Sequence, residues 1–357
     1  MEHLGLHKAS TAWIGSYLSE RTQTTKFAKV SSDEERVLAG VPQGSILGPI
    51  LFIAFTADLA EELQGCKVVA YADDAALLVS APTWKQLKHK IETSVRQAQN
   101  WYTRNGLQIN SAKTEFMILK KRGDFEISVN TGGEEVKIRS KECLKILGMQ
   151  VDSHLTWSQH VSQVKSRTTN AIRNIARTNS ILPMSSRILL TNALVVPHYN
   201  YGDILYDGCT ADARDALERN QSYAAKAILG RPKYSSSTDA LKELNWLPLQ
   251  QRRKIHQGVF VHKAIRHKNS HHATSAILNL LPKHNHSTRQ KERNILNSWQ
   301  HASSLTEKSV LYKSTHAWNG FPKEIRDIDA TKDFKERLQN HYIYKFLNDE
   351  NHVGEAS

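Results

Sequence analysis

The 357-residue chain holds only three cysteines, and Cys66, Cys143 and Cys209 stand far apart. They form no CxxC pair, no zinc spacing and no disulfide framework, which fits a reducing compartment. Long apolar runs are missing too: no stretch reaches the roughly 18 residues a membrane span needs. The first thirty residues lack a charged start, an apolar core and a small-residue cleavage site, so no secretory signal is read there. The expected location is intracellular, with nucleus and cytoplasm both open. There is no internal repeat and no long low-complexity tract. Acid is also scarce, with 35 Asp+Glu against 48 Lys+Arg and a formal net charge of +13. Hydrophobic residues at 39% exclude wholesale disorder, and the length allows two to three domains.

The charge is unevenly placed. Residues 1–150 hold 19 Lys+Arg and 17 Asp+Glu, whereas residues 151–357 hold 29 and 18. Within Arg252–Arg293 there are ten Lys+Arg, seven histidines and one acid, Glu292. A basic half of this kind suits a polyanion, and nucleic acid is the expected one. A basic protein without such a partner has the same composition.

Periodicity predicts an α+β first part and a mostly helical second part. Ser10 to Leu18 reads as a short helix, and Thr22 to Val30 contains an alternating, strand-like stretch. Gly40-Val41-Pro42-Gln43-Gly44 is turn chemistry. Ser45 can cap a following helix that runs to about Leu63. Lys67–Tyr71 and Ala75–Val79 read as two strands around a tight acidic turn. Trp84, Leu87, Ile91, Val95, Ala98 and Trp101 mark an amphipathic helix closed by Asn105-Gly106. A hairpin is predicted around Gly132-Gly133, and Leu144 to Val151 reads as a strand. Helices follow from Ser158 onward, at 189–196, 211–229, 252–266 and 333–347, broken by prolines.

Tyr71-Ala72-Asp73-Asp74 is the chemical centre. Two adjacent carboxylates between apolar strands repel each other and call for a cation. Magnesium suits them, because it takes oxygen ligands from one or two carboxylates and completes its shell with phosphate and water. Neighbouring strand residues face opposite ways, so the two need not do the same job. A simple surface Asp-Asp turn is the other reading.

The residues around this turn carry a resemblance. Ala39-Gly40-Val41-Pro42-Gln43-Gly44-Ser45 with Gly48-Pro49-Ile50-Leu51-Phe52, then Tyr71-Ala72-Asp73-Asp74, resemble adjoining motifs of reverse transcriptases of non-LTR retrotransposons. Asn105-Gly106-Leu107-Gln108-Ile109-Asn110 with Lys113-Thr114 is similar to the next family motif. Leu147-Gly148 before Leu155-Thr156-Trp157 is similar to the one leading into the thumb. These four motifs cover about residues 1–160. Tyr201-Gly202 and Ala317-Trp318-Asn319-Gly320-Phe321-Pro322 are similar, less specifically, to tails of the same elements.

The resemblance implies an RNA-directed DNA polymerase, a two-metal nucleotidyltransferase using Mg2+, an RNA template, a DNA primer and deoxynucleotide triphosphates. The implied fold is a partial polymerase palm, an antiparallel sheet with helices over residues 1–125. A palm end and thumb-like connection over 126–180 and a basic, mainly helical region over 181–357 follow. Asp73 would bind the catalytic metal and Asp74 support it. Gly40, Pro42, Gln43, Gly44, Ser45 and Tyr71 would lie against template and incoming nucleotide, the glycines allowing close backbone approach. A plain helix-start turn explains the same glycines. Lys113 would lie near the triphosphate, or is simply a solvated lysine.

A two-metal centre needs carboxylates from two strands, and the resemblance begins after the motif that supplies the other one. The only acid before Trp13 is Glu2. The fingers are also outside the match. The expectation is a truncated copy that does not polymerise alone, with a non-enzymatic nucleic-acid- or partner-binding remnant as the alternative. In the basic region Arg252, Arg253, Lys254, Lys263, Arg266 and Lys268 are candidate phosphate contacts. Trp246, Trp299 and Trp318 suit base stacking or a core. Asp203 and Asp207 read as surface acids.

Overall fold

The computed structural model describes residues 5–120, 123–131, 134–267, 272–281, 294–297 and 303–348. The chain is α+β, with short antiparallel hairpins and many helices. It divides into two compact units, one of residues 1–116 with 123–140 and one of 117–122 with 141–357.

The first unit opens with helix α1 (Lys8–Leu18), whose N-terminus is capped by the His7 imidazole. The stretch expected as one strand is divided into two-residue strands. β1 (Thr22–Gln23) pairs with β4 (Glu35–Arg36), and β2 (Lys26–Phe27) pairs with β3 (Val30–Ser31). The helix predicted from Ser45 to Leu63 is likewise two pieces, α2 (Leu47–Phe55) and α3 (Leu59–Glu62). Thr56 ends the first piece by turning its hydroxyl back to the Phe52 carbonyl at 3.1 Å, in competition with the helix ladder. Strands β5 (Lys67–Tyr71) and β6 (Asp74–Leu78) form the predicted hairpin. Helix α4 (Trp84–Arg104) starts at the Thr83 cap and stops at Asn105-Gly106. Its apolar stripe delivers Ala98 and Trp101 into a small core with Leu59, Leu63, Val68 and Leu77. Strands β7 (Glu126–Thr131) and β8 (Glu134–Arg139) pair, and Ser128 of β7 donates its N–H to Glu92 of α4.

The second unit begins with β9 (Cys143–Ile146) and β10 (Met149–Asp152), a hairpin where one strand was expected. Leu147 and Gly148 both take positive φ, so the chain reverses there. Asp152 then accepts the N–H groups of His154, Thr156 and Trp157, which turns the chain into α5 (Ser158–Ala176). Helices α6 (Met184–Leu194), α7 (Val196–Asn200) and α8 (Ala211–Leu229) follow. A buried amide organises this group: Asn220 of α8 accepts from Thr168 and Tyr199 and donates to Thr169. Tyr206 in turn donates to the Tyr199 carbonyl.

The rest of this unit wraps α10 (Leu249–His267). Helices α11 (His272–Leu278), α13 (Val310–Asn319) and α15 (Thr331–Asn348) pack on it, while α9 (Ser237–Glu243) packs on α8, α12 (Ser304–Lys308) on α13 and α14 (Lys323–Arg326) on α15. The core joins Ile255, Val261 and Ala264 of α10 to Trp318, Phe321, Phe334 and Leu338. Glu218 of α8 accepts the N–H groups of Leu249 and Gln250, so a carboxylate from another helix caps the start of α10. The segment 294–297 is clamped by the Ala317–Pro322 motif. The Asn319 side chain accepts from Leu296 N and donates to Leu296 O, both at 2.9 Å, while the Trp318 indole donates to Asn294 O.

Two predictions follow from the packing on α10. A Cβ on Gly258 would stand 2.6 Å from the Phe321 ring and 3.0 Å from Leu338. Gly258→Ala is therefore expected to destabilise the chain by about 1–3 kcal/mol, read from the urea midpoint. His262 is fully buried, stacks on Phe334 at 4.4 Å, donates from Nε2 to Ile328 O at 2.8 Å and meets Thr331 through Nδ1. Burial, aided by Arg266, holds its imidazole below the ordinary histidine range despite the bond to Ile328. Its contribution to stability is complete above the ordinary value of about 6.5 and is lost as pH falls through the lowered one. The Tm should fall on mild acidification, and His262→Gln should flatten that limb.

Candidate functional site

Hairpin β5–β6 fixes the geometry of the acidic turn. Tyr71 pairs with Asp74, which leaves Ala72 and Asp73 as a two-residue loop. Ala72 sits at a φ of 52°, as a tight hairpin loop requires, and it does so with a Cβ. Alternation places Val68 and Leu77 against the α3–α4 core and leaves Val69, Tyr71 and Leu78 exposed. Asp74 shares that open face with Tyr71, while Asp73 lies in the loop itself.

The sequence suggested carboxylates held in apolar surroundings, and here the structure differs. Asp73 and Asp74 are both exposed, with water in place of a low-dielectric pocket. Neither carboxylate has a hydrogen bond or ion pair among the described residues. Two adjacent, unengaged carboxylates fit a hard divalent cation, which takes one or two protein oxygens and fills its shell from phosphate and water. No cluster of three or more candidate ligands occurs among the described residues.

The glycine turn lies in the same unit. Gly40 and Gly44 adopt φ of 85° and 80°, with open space where a Cβ would be. Arg21 donates to the Gly40 carbonyl. Ser45 donates to Pro42 O at 2.8 Å and accepts from Gly48 N at 2.9 Å, so it organises the start of α2 as expected. Gln43 is exposed. Lys113 is exposed in a turn closed on Asn110, and no hydrogen bond or ion pair ties it to the acidic hairpin.

Two further motifs meet each other in the second unit. The Tyr201 hydroxyl donates to Leu147 O at 2.6 Å. Gly202 takes a φ of 64°, and the flexible end of the Met149 side chain fills the space where a Cβ would be.

The basic region requires several corrections. Arg253 is 2% exposed; it faces Asp207 at 3.7 Å and the Tyr206 ring at 5.1 Å. Arg252 is half-buried and donates to Asn200, and burial lowers its pKa. Both therefore hold α10 in place and are not free for phosphate. Asp203 and Asp207, expected at the surface, face inward too: Asp203 is buried on His256 at 2.6 Å, and Asp207, beside Arg253, also accepts from Gln257. Lys254 and Lys263 are exposed, but nine residues place them on roughly opposite sides of the helix. Arg266 pairs with Asp329 at 2.9 Å. Lys268 and Trp299 lie outside the described residues, and Trp318 is core. The open basic surface lies instead between Asp152 and Asp203, a stretch with five Lys+Arg and no acid. There α5 exposes Lys165, Arg167 and Arg173. The missing acids were the available signal.

Comparison with known proteins finds a likeness in the first part of the chain. Residues 1–151 match the family described as reverse transcriptase (RNA-dependent DNA polymerase). The likeness covers less than half of the chain. Relatives in the curated proteins place this domain with non-LTR retrotransposon polymerases. The chain is 25% identical over 266 residues to "Probable RNA-directed DNA polymerase from transposon X-element" of Drosophila melanogaster, covering 72% of this chain and 29% of that protein. It is 24% identical over 294 residues to "RNA-directed DNA polymerase from mobile element jockey" of the same organism, covering 78% and 31%. A third relative, "Retrovirus-related Pol polyprotein from type-1 retrotransposable element R1 2" of Nasonia vitripennis, is 27% identical over 221 residues, covering 58% and 54%. The chain thus spans about three-tenths of the length of the first two. No solved structure matches. Reverse transcriptases imply a divalent metal and nucleic-acid partners. No described helix is long and apolar enough to cross a membrane.

The strained loop residue gives a direct test. Ala72→Val is expected to cost about 1–2 kcal/mol in urea unfolding, because a β-branched residue resists positive φ, whereas Ala72→Gly should cost nothing.

Proposed function

We propose that hairpin β5–β6 is the metal-binding hairpin of RNA-directed DNA synthesis on an RNA template and DNA primer. The observation that carries this is the pair Asp73 and Asp74, exposed and unengaged, one in the two-residue loop and the other at the first position of β6, inside residues that match the reverse transcriptase family. Asp73 and Asp74 hold Mg2+, which when bound neutralises charge on a triphosphate. Gly40 to Ser45 and Tyr71 lie along template and nucleotide, and Lys113 serves the triphosphate. Residues 1–125 act as palm, 126–180 as the connection to a thumb, and 181–357 as a further helical region.

One turn cannot grip two ions in line. The function of the hairpin therefore depends on a carboxylate from a second strand. The 357 residues alone are proposed to bind metal and nucleic acid without extending a primer. The acid-free stretch 153–202 supports nucleic-acid contact, since cations there have no neighbouring carboxylate along the chain to neutralise them.

Two measurements test this. Mn2+ titration followed by electron paramagnetic resonance should show a site weakened about tenfold or more by Asp73→Asn. Unchanged Mn2+ binding in that variant would sink the metal assignment. The purified chain with template, primer, deoxynucleotides and Mg2+ should give no extension. Extension that Asp73→Asn abolishes would overturn the proposed inactivity and leave the polymerase reading standing.

A further inference from the structure

The loop between α8 and α9 displays an aromatic ring with no ring or cation contact among the described residues. Tyr234 is 91% exposed. The chain beneath it is nonetheless pinned at several points. Ser235 donates both its N–H and its hydroxyl to Pro232 O, at 3.1 and 2.7 Å, closing a tight turn with Tyr234 near the apex. Lys226 donates to Lys233 O at 2.9 Å. Arg231 pairs with Glu243 of α9, and Gly230 takes a φ of 67° to end α8. An ordered loop that holds a large ring in water forgoes the burial that usually stabilises such a side chain.

The surroundings identify what the ring suits. From Arg219 to Thr238 the sequence has four Lys+Arg and no acid. Arg219, Tyr223 and Lys226 recur at four and three residues, so they share one face of α8 that leads into the loop. Arg219 and Lys233 are exposed, and Tyr223 and Lys226 are half-buried. Seven residues of helix, Arg219 to Lys226, span about 10 Å. Tyr223 packs against the core of this unit, so Tyr234 is the ring left open; cations flanking an open ring on this scale match a single strand of nucleic acid, whose phosphates meet the cations while an unpaired base stacks on the ring. A duplex offers no free base face to an exposed tyrosine. An acidic peptide satisfies the cations and leaves the ring idle.

We propose that Tyr234, with Lys233 and Arg219, forms a contact site for single-stranded nucleic acid, separate from the acidic hairpin. It rests on the nucleic-acid reading of the chain for its ligand, and not on any activity of Asp73.

The test uses the full chain and fluorescence anisotropy with labelled oligothymidylate, oligouridylate, a short duplex and a polyglutamate peptide. Tyr234→Ala should weaken single-strand binding by about fivefold or more, while Tyr234→Phe retains it. Lys233→Ala should lower the slope of log affinity against log salt by about 0.7. Tighter binding of the uridylate would assign RNA as the source, and tighter binding of the thymidylate DNA. Wild-type affinity in Tyr234→Ala, an equal loss for duplex, or an effect confined to the peptide would each overturn the site. Photocrosslinking of iodouridine oligonucleotide to the unaltered chain gives a readout independent of any variant. An adduct on Tyr234 supports the site, and adducts exclusively elsewhere overturn it. Mn2+ binding is expected to be unaltered in Tyr234→Ala, so failure here and failure of the metal hairpin are distinguishable.

Discussion

Helix α10 is buried on several sides, and much of the second unit meets the demands this creates. A central helix that carries Arg253, His256, Gln257 and His262 needs partners for each, since unpaired polar groups in such a place cost several kcal/mol. Asp207 accepts from Gln257 and faces Arg253 as an ion pair at 3.7 Å, which leaves Arg253 Nε and Nη1 buried without a hydrogen bond among the described residues; Asp203 answers His256, and Ile328 O answers His262. Glu218 supplies the cap at the first turn. Because these partners come from α8, from the segment after α7 and from the approach to α15, satisfying one helix fixes the placement of several others. The carboxyl of Glu218 is raised in pKa by its own burial, so even the cap lies inside the packed region.

The first unit follows a different logic. Its core is small, built where α3 and α4 meet one face of β5–β6. The opposite face of the hairpin, with Val69, Tyr71 and Leu78, is left to solvent. The acidic turn is therefore held by the ladder and by packing from behind, while its carboxylates are free on the other side. Such one-sided support suits the proposed metal site, which would also have to admit a triphosphate.

Much of this was legible in the sequence where local chemistry decides the outcome. The turn at Ala72-Asp73, the cap at Ser45 and the stop at Asn105-Gly106 all follow from residue type and spacing. What misled was charge. A run of Lys+Arg from Arg252 read as a phosphate surface, yet α10 is a core helix: Arg253 faces Asp207, forty-odd residues earlier in the chain, and Arg252 donates to Asn200. Pairing across that distance leaves no periodic mark. Asp203 and Asp207 were misjudged for the same reason. The reverse error hid the acid-free stretch 153–202, where cations are fewer but have no acid near them in the sequence. The β9–β10 hairpin was missed because its turn, Leu147-Gly148, interrupts the apolar run with a single glycine.

The clamp on segment 294–297 has a chemical corollary. Asn319 is followed by Gly320, the neighbour that leaves an asparagine amide most open to attack by the next backbone nitrogen and hence to slow deamidation. In the folded chain that amide is engaged on both its oxygen and its nitrogen by Leu296. Conversion to aspartate would keep the acceptor and lose the donor, adding a charge beside the Trp318 core. The fold thus shelters the bond it relies on, and this position ages chemically at the rate at which the clamp opens.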